Sequence, residues 1–251
     1  MGTRSKLIAL AAAGALALAV SVAVAQGGAT QSKITAKLSP NTGGKPTTIH
    51  FDVMTFNTAG GVPASGSNAV VHIPKGTKFA FKGFTRCNGN TKSPPDASQC
   101  PAKSKVGSGT STLAAQVGSA AINENAAVTA YVGAKQNGHD TLLLYAVGTT
   151  PISAQLTLVG ELIPGDASPY SYKLNVPIPP IPTVPGAPGA SITDFNTTVG
   201  KTITVKGKKV ALVTAPAKKS CVGGLLHWGY DGTYNGAPPY TAVTTSPCPK
   251  K

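Results

Sequence analysis

Four cysteines, four histidines and eight acidic residues are the side chains through which this chain could do chemistry. The cysteines are Cys87, Cys100, Cys221 and Cys248. No C-x2-C pair exists, and only His227 stands within a few residues of a cysteine, so a zinc site is poorly supported. An even count in an exported chain reads as disulfides. Three connectivities exist, and proximity in sequence favours Cys87–Cys100 and Cys221–Cys248. The first would close a polar, turn-rich loop of about 14 residues, worth roughly 3 kcal/mol in the chain-entropy picture. Oxidised cysteines leave no thiol nucleophile.

The histidines, His50, His72, His139 and His227, are scattered, with neither H-x-x-x-H nor H-E-x-x-H among them. His50 and Asp52 would share one face of a strand, and His72 could join them from a neighbouring one. Ordinary outward polar residues explain the three better than a metal patch, so no metal and no cofactor is expected. Nucleophilic hydrolases need a serine held beside a base, and neither G-x-S-x-G nor S-x-x-K occurs. Gly200-Lys201-Thr202 resembles the end of a phosphate-binding loop, but Phe195 stands where its first glycine must be. Among the few acids, only Asp231 lies among aromatic residues that could line a sugar cleft. The expectation is a protein without catalysis.

The best candidate for ligand binding is the segment from Trp228 to Tyr240. Trp228 and Tyr230 would share one strand face, and Tyr234 and Tyr240 flank Asn235-Gly236. With Asp231 and Asn235, such rings could stack on and hydrogen-bond a sugar, and the same two polar side chains could hold calcium. The competing reading is stronger: Trp228, the only tryptophan, anchors the core beneath the terminal disulfide, and Asp231-Gly232 and Asn235-Gly236 are turns.

These residues must be positioned by strands. Gly and Pro number 29 and 21 of 251 residues, and charged residues are only 12%, which excludes long helices, coiled coils and charged disorder. Alternating apolar residues mark strands at Thr48–Phe56, around Val70, Val71 and Ile73, at Phe79, Phe81 and Phe84, and at Val128–Val132. Leu142–Tyr145 is apolar on both faces. Ala154–Leu158 alternates again. Ile203–Val205 and Val210–Leu212 flank Lys206-Gly207-Lys208 as a hairpin. The alternation Leu226, Trp228, Tyr230 runs up to Asp231-Gly232. A helical turn is expected at Pro94–Gln99, and Val176–Pro185 should be an extended, polyproline-like crossover. Eleven to fourteen strands predict an all-β, antiparallel sandwich of jelly-roll or immunoglobulin-like type. Residues 26–251 are read as one domain, the alternative being two small sandwiches split near residues 150–190.

Residues 1–25 read as an export signal. Arg4 and Lys6 precede the apolar run from Leu7, and Ala23-Val24-Ala25 offers a cleavage site before Gln26. No apolar run long enough to span a bilayer recurs after it. The chain is basic, with Lys+Arg 22 against Asp+Glu 8, and beyond residue 25 every basic residue but Arg86 is lysine. Lysine without arginine argues against nucleic acid and reads first as a solubility device, the alternative being a loose, salt-sensitive attraction to an anionic cell-wall polymer or lipid.

Several signposts together resemble a family of uncharacterised secreted proteins of actinobacteria. They are Leu38-Ser39-Pro40, Phe51-Asp52, Pro74-Lys75-Gly76-x-x-Phe79 before Cys87, Cys100-Pro101-x-x-Ser104-Lys105-Val106-Gly107-Ser108-Gly109-Thr110, and Cys221-x-Gly223-Gly224 with Tyr230, Asp231-Gly232 and Cys248. The resemblance implies export and a β-rich fold, and no reaction. In physical terms the glycines at 107 and 109 permit a bulge or a close approach of backbones. The expected protein is a secreted or envelope-associated monomer, a non-catalytic binding or structural module. Its rivals are a glycan-binding module using Trp228 and Tyr230, a secreted hydrolase, and a carrier for an apolar ligand. A glycan module needs an exposed aromatic strip, a carrier an apolar interior cavity, and an enzyme a cleft of converging histidine and acid.

Overall fold

The computed structural model describes residues 28–148, 155–181, 183 and 189–250; the signal-like residues 1–25 and Ala154 lie outside them. The described residues form an all-β, antiparallel structure without an α-helix. The strands are β1 (Thr30–Ser39), β2 (Thr48–Asn57), β3 (Gly66–Pro74), β4 (Lys78–Phe79), β5 (Lys105–Val117), β6 (Ala120–Val132), β7 (Asp140–Gly148) and β8 (Gln155–Pro164). They continue with β9 (Tyr170–Pro177), β10 (Ser191–Val199), β11 (Thr202–Val205), β12 (Lys208–Ala211), β13 (Val213–Thr214), β14 (Leu225–Tyr234) and β15 (Ala237–Pro247). Eleven of them make one sheet in the order β1-β2-β10-β5-β6-β7-β8-β9-β3-β14-β15, while β11 pairs with β12 and β4 with β13. Strands from before residue 150 and after residue 190 are thus neighbours in the same sheet.

The sheet rolls up into a sandwich close to a barrel. Along β1, β2 and β6 the burial alternates residue by residue. One set of side chains, including Ile34, Phe51, Val128, Leu144, Leu158 and Trp228, meets in a single core. Period-two alternation is the reason: every second side chain points to the inside of the roll. Leu142–Tyr145 is apolar on both faces because its outer face is also covered. There Leu143 is fully buried against Cys87, Ala97 and Val159, beneath the loop that the first disulfide closes.

Both expected disulfides are present, Cys87–Cys100 and Cys221–Cys248. The second helps close the roll. The first and last strands of the sheet, β1 and β15, lie side by side without a hydrogen-bond ladder. At one end they are joined through the residues that follow them. Gly43 N donates to Lys250 O (2.8 Å), Lys250 N to Asn41 O (3.1 Å), and Asn41 Nδ2 to Pro247 O (2.9 Å).

Gly107 and Gly109 on β5 lie against β10, where a Cβ would run into the carbonyl oxygens of Thr198 and Asn196. The pairing of β5 with β6 shifts register between Lys105 and Gly107, so both the bulge and the close approach are realised. The hairpin at Lys206-Gly207 is found as well, with both residues at positive φ as a two-residue turn requires.

Two local expectations fail. The turn expected at Asp231-Gly232 is absent, because β14 runs on to Tyr234 and reverses at Asn235-Gly236. Gly232 serves instead as a floor for aromatic rings: a Cβ there would meet the Tyr234 hydroxyl and the edge of Tyr230. The helical turn expected at Pro94–Gln99 lies earlier, as a 3₁₀ turn over Asn88–Thr91. The Gly89 carbonyl accepts from both Lys92 N and Asp96 N, which folds the loop back on itself. Of the extended crossover, Val176 and Pro177 end β9, Ile178 N donates to Ser67 O (2.9 Å), and residues 182 and 184–185 lie outside the described residues.

Gly109→Ala should disrupt the β5–β10 junction. Overpacking against backbone predicts a loss of about 2–3 kcal/mol, read as a lower urea midpoint with an unchanged slope.

Candidate ligand-binding site

The interior of the roll is not filled. A cavity of about 120 Å³ lies along it, walled by Phe51 and Val53 of β2, Val71 of β3, Leu142 of β7, Leu158 of β8, Leu174 of β9, Phe195 of β10 and Trp228 of β14, among others. No Lys, Arg, His, Asp or Glu lines it. Ala69, Val71, Leu174, Ile192 and Phe195 point inward and pack against the core, yet stay only partly covered. A void of this volume in an apolar core withholds on the order of 3 kcal/mol of packing energy until something fills it.

The aromatic residues of β14 singled out in the sequence all take its inner face, while Asp231 takes the outer one. Trp228, Tyr230 and Tyr234 point inward, at 0%, 6% and 6% exposure, and all three wall the cavity. They form no exposed strip on which a sugar could stack. Trp228 Nε1 donates to the Ser246 hydroxyl (2.9 Å), so its one polar atom is satisfied in the core. The Tyr234 hydroxyl shares a 2.6 Å hydrogen bond with Ser32 of β1, which is 3.0 Å from Thr55 of β2. This buried chain of hydroxyls crosses the seam between the first and last strands. Burial pushes the Tyr230 hydroxyl far above the usual phenol value. Tyr240 is half-buried opposite Gly232. Asn235 caps the β14–β15 turn through its backbone N–H to Ser65 O (2.8 Å) and its side chain to the Ser65 hydroxyl (3.2 Å).

Asp231 points the other way and belongs to a cluster that no sequence spacing announced. His72 of β3 lies between two carboxylates. Its Nδ1 is 2.6 Å from Asp166, in the β8–β9 connection, and its Nε2 is 2.8 Å from Asp231. Thr241 of β15 donates to the other Asp231 oxygen (2.6 Å), and the Tyr170 ring packs 5.0 Å from the imidazole. Across the strands, His72 is flanked by Gly229 and Lys173. A side chain at Gly229 would meet the imidazole and the Tyr170 hydroxyl, so the glycine makes room for the clasp.

The metal patch of His72 with His50 and Asp52, the weaker of the two readings of these residues, does not form. β2 and β3 are not neighbours in the sheet, and His50 Nδ1 pairs with the Thr198 hydroxyl (2.8 Å). Asp52 instead stands opposite Asn196 of β10, and its charge adds to burial in raising the pKa of Asp194 on that strand. Among the described residues no group of three or more His, Cys, Asp or Glu could hold a metal ion. Asp231 and Asn235, weighed as calcium ligands, bind separate partners.

Two carboxylates on one imidazole favour its doubly protonated form. Burial alone would lower the His72 pKa, but the hydrogen bonds and charges of Asp166 and Asp231 outweigh it and raise the pKa above 6.5. Burial likewise works to raise Asp231, and the Thr241 hydroxyl and His72 hold it below the usual carboxylate value. Both ring nitrogens are taken, so His72 has none left to accept a proton from a serine.

The clasp stabilises the fold while His72 is charged. Its contribution is therefore whole below about pH 6.5 and is lost as pH rises through the higher folded value. His72→Gln should cost about 1–2 kcal/mol at pH 6, with the gap to wild type closing toward pH 9 in urea titrations. A gap independent of pH would refute the charged clasp. The chain matches no family model, no curated protein and no solved structure, so its own geometry carries the functional reading.

Proposed function

We propose that this protein is an exported, non-catalytic binding protein that holds a small apolar ligand inside its rolled sheet. The observation that supports this most is the apolar cavity walled by Trp228, Phe51, Val71 and Phe195. Its volume suits one aromatic ring or the end of one acyl chain, comparable to cavities that take up benzene. Its lining lacks any charged group, so an ionic ligand head would be left without a partner there. Two disulfides with no free cysteine suit an oxidising compartment, as the signal-like residues 1–25 do. No helix among the described residues is long and apolar enough to cross a membrane.

A platform for glycans is disfavoured by the inward rings of Trp228, Tyr230 and Tyr234. A hydrolase is disfavoured because the one His–Asp cluster sits on the outer face of the sheet with both imidazole nitrogens occupied.

Titration with benzene or cyclohexane should shift Trp228 emission and raise the melting temperature. Val71→Phe, which fills the cavity from β3, should weaken that binding at least about tenfold while leaving stability intact or higher. Wild-type protein that responds to no apolar probe would sink the carrier reading. Export is checked separately: protein recovered from culture medium should begin at Gln26.

A further inference from the structure

The two rims of the rolled sheet differ in charge. One rim gathers the ends of β1, β3, β8 and β15 and the starts of β2, β5, β9 and β14. The segments at this rim carry every described Lys and Arg except Lys33, Lys37 and Lys173. The described connections at the opposite rim, residues 58–65, 118–119, 178–181, 183, 189–190 and 235–236, contain no Lys, Arg, Asp or Glu.

At the basic rim the acids are already engaged. Asp140 pairs with Arg86, Asp166 with His72 and Asp96 with Lys92. The segment 200–224 has no acid, and its Lys206, Lys208, Lys209, Lys218 and Lys219 are all exposed. Within that field stands an apolar tip. Val222 and Leu225 exchange both backbone hydrogen bonds (3.2 and 3.1 Å) across Gly223-Gly224, so their side chains leave the same face of a tight turn. They are 45% and 39% exposed, and a Cβ on either glycine would meet nothing within 4 Å. Only Ser220 and Cys221 separate the turn from Lys218 and Lys219, and the Cys221–Cys248 disulfide anchors it.

We propose that this rim docks on an anionic lipid bilayer, with Val222 and Leu225 entering the interface and the surrounding lysines meeting lipid phosphates. Lysine near an anionic leaflet is attracted by its surface potential, and the attraction is screened by salt. A soluble polyanion would satisfy the lysines and leave the two apolar side chains in water, whereas a bilayer takes up both. Nucleic acid is the poorer fit again, since the exposed lysines come with no arginine forks. The docking surface is separate from the cavity and stands or falls without it.

The test is co-sedimentation of the mature chain with phosphatidylcholine vesicles, with and without added phosphatidylglycerol, at low and high salt. Binding should require phosphatidylglycerol and fall at least about tenfold at high salt. Val222→Ser/Leu225→Ser and Lys218→Gln/Lys219→Gln should each weaken it roughly three- to tenfold. All four positions are exposed, and an unchanged melting temperature confirms folding of each variant. Absence of vesicle binding overturns the proposal. It is also overturned if the Val222/Leu225 variant binds vesicles as wild type does while soluble polyphosphate competes fully, because the partner would then be a polyanion only. Neither outcome bears on benzene uptake by the cavity.

Discussion

The structure depends on how its sheet closes. β1 and β15 meet without a ladder, so the edges that antiparallel sheets must protect are covered here by side chains and rim contacts. Inside, the Tyr234 hydroxyl reaches from β14 to Ser32 on β1 and through it to Thr55 on β2. At the rim, the residues after β1 and β15 exchange backbone hydrogen bonds, and Cys248 ties this tail to Cys221 ahead of β14. If the seam opened, two strand edges and the apolar interior would reach water together. The second disulfide therefore does more than close a local loop: it holds one end of the only junction in the sheet that lacks a ladder.

Closure turns the alternation of side chains into a division of labour. On β3, Val71 and Ile73 wall the cavity while His72 between them points out to Asp166 and Asp231. On β14, Trp228, Tyr230 and Tyr234 point in while Asp231 points out. The clasp thus ties together, from outside, the two strands whose inner faces supply one wall of the cavity. It also holds the β8–β9 connection against them. A charge-assisted contact of this kind on a half-buried surface adds more to positioning than to total stability, since both charges give up part of their hydration.

Much of this was legible in the sequence because it is local. Period-two alternation located the strands, proximity paired the cysteines, and Gly107-Ser108-Gly109 announced the close approach to β10. What failed was judged from residue type without knowing the neighbours. Asp231-Gly232 has turn composition, yet Gly232 is small because Tyr230 and Tyr234 lie over it. The partners of His72 lie 94 and 159 residues away in the chain, and only the order of strands in the sheet brings them together. Trp228 is the core anchor that the sequence favours over a glycan platform, fully buried with Nε1 on Ser246, and it borders the cavity as well. A cavity has no local sequence signature. It arises where facing side chains together fall short of the space between layers.

That shortfall points to a physical choice. Small residues such as Ala69 and Gly66 line the void where larger ones would fill the roll, whereas Gly160 does not. A Cβ on Gly160 would meet Leu174, so that glycine is dictated by packing. A Cβ on Gly66 would sit 3.2 Å from Ile178, a contact a flexible side chain can relieve. Ala69 has the cavity beside it. The wall around β3 is thus thinner than full packing would make it, and the side chains facing the void go without contacts there. The polar clasp outside and the hydroxyl chain inside join the strands of that wall to their neighbours by hydrogen bonds.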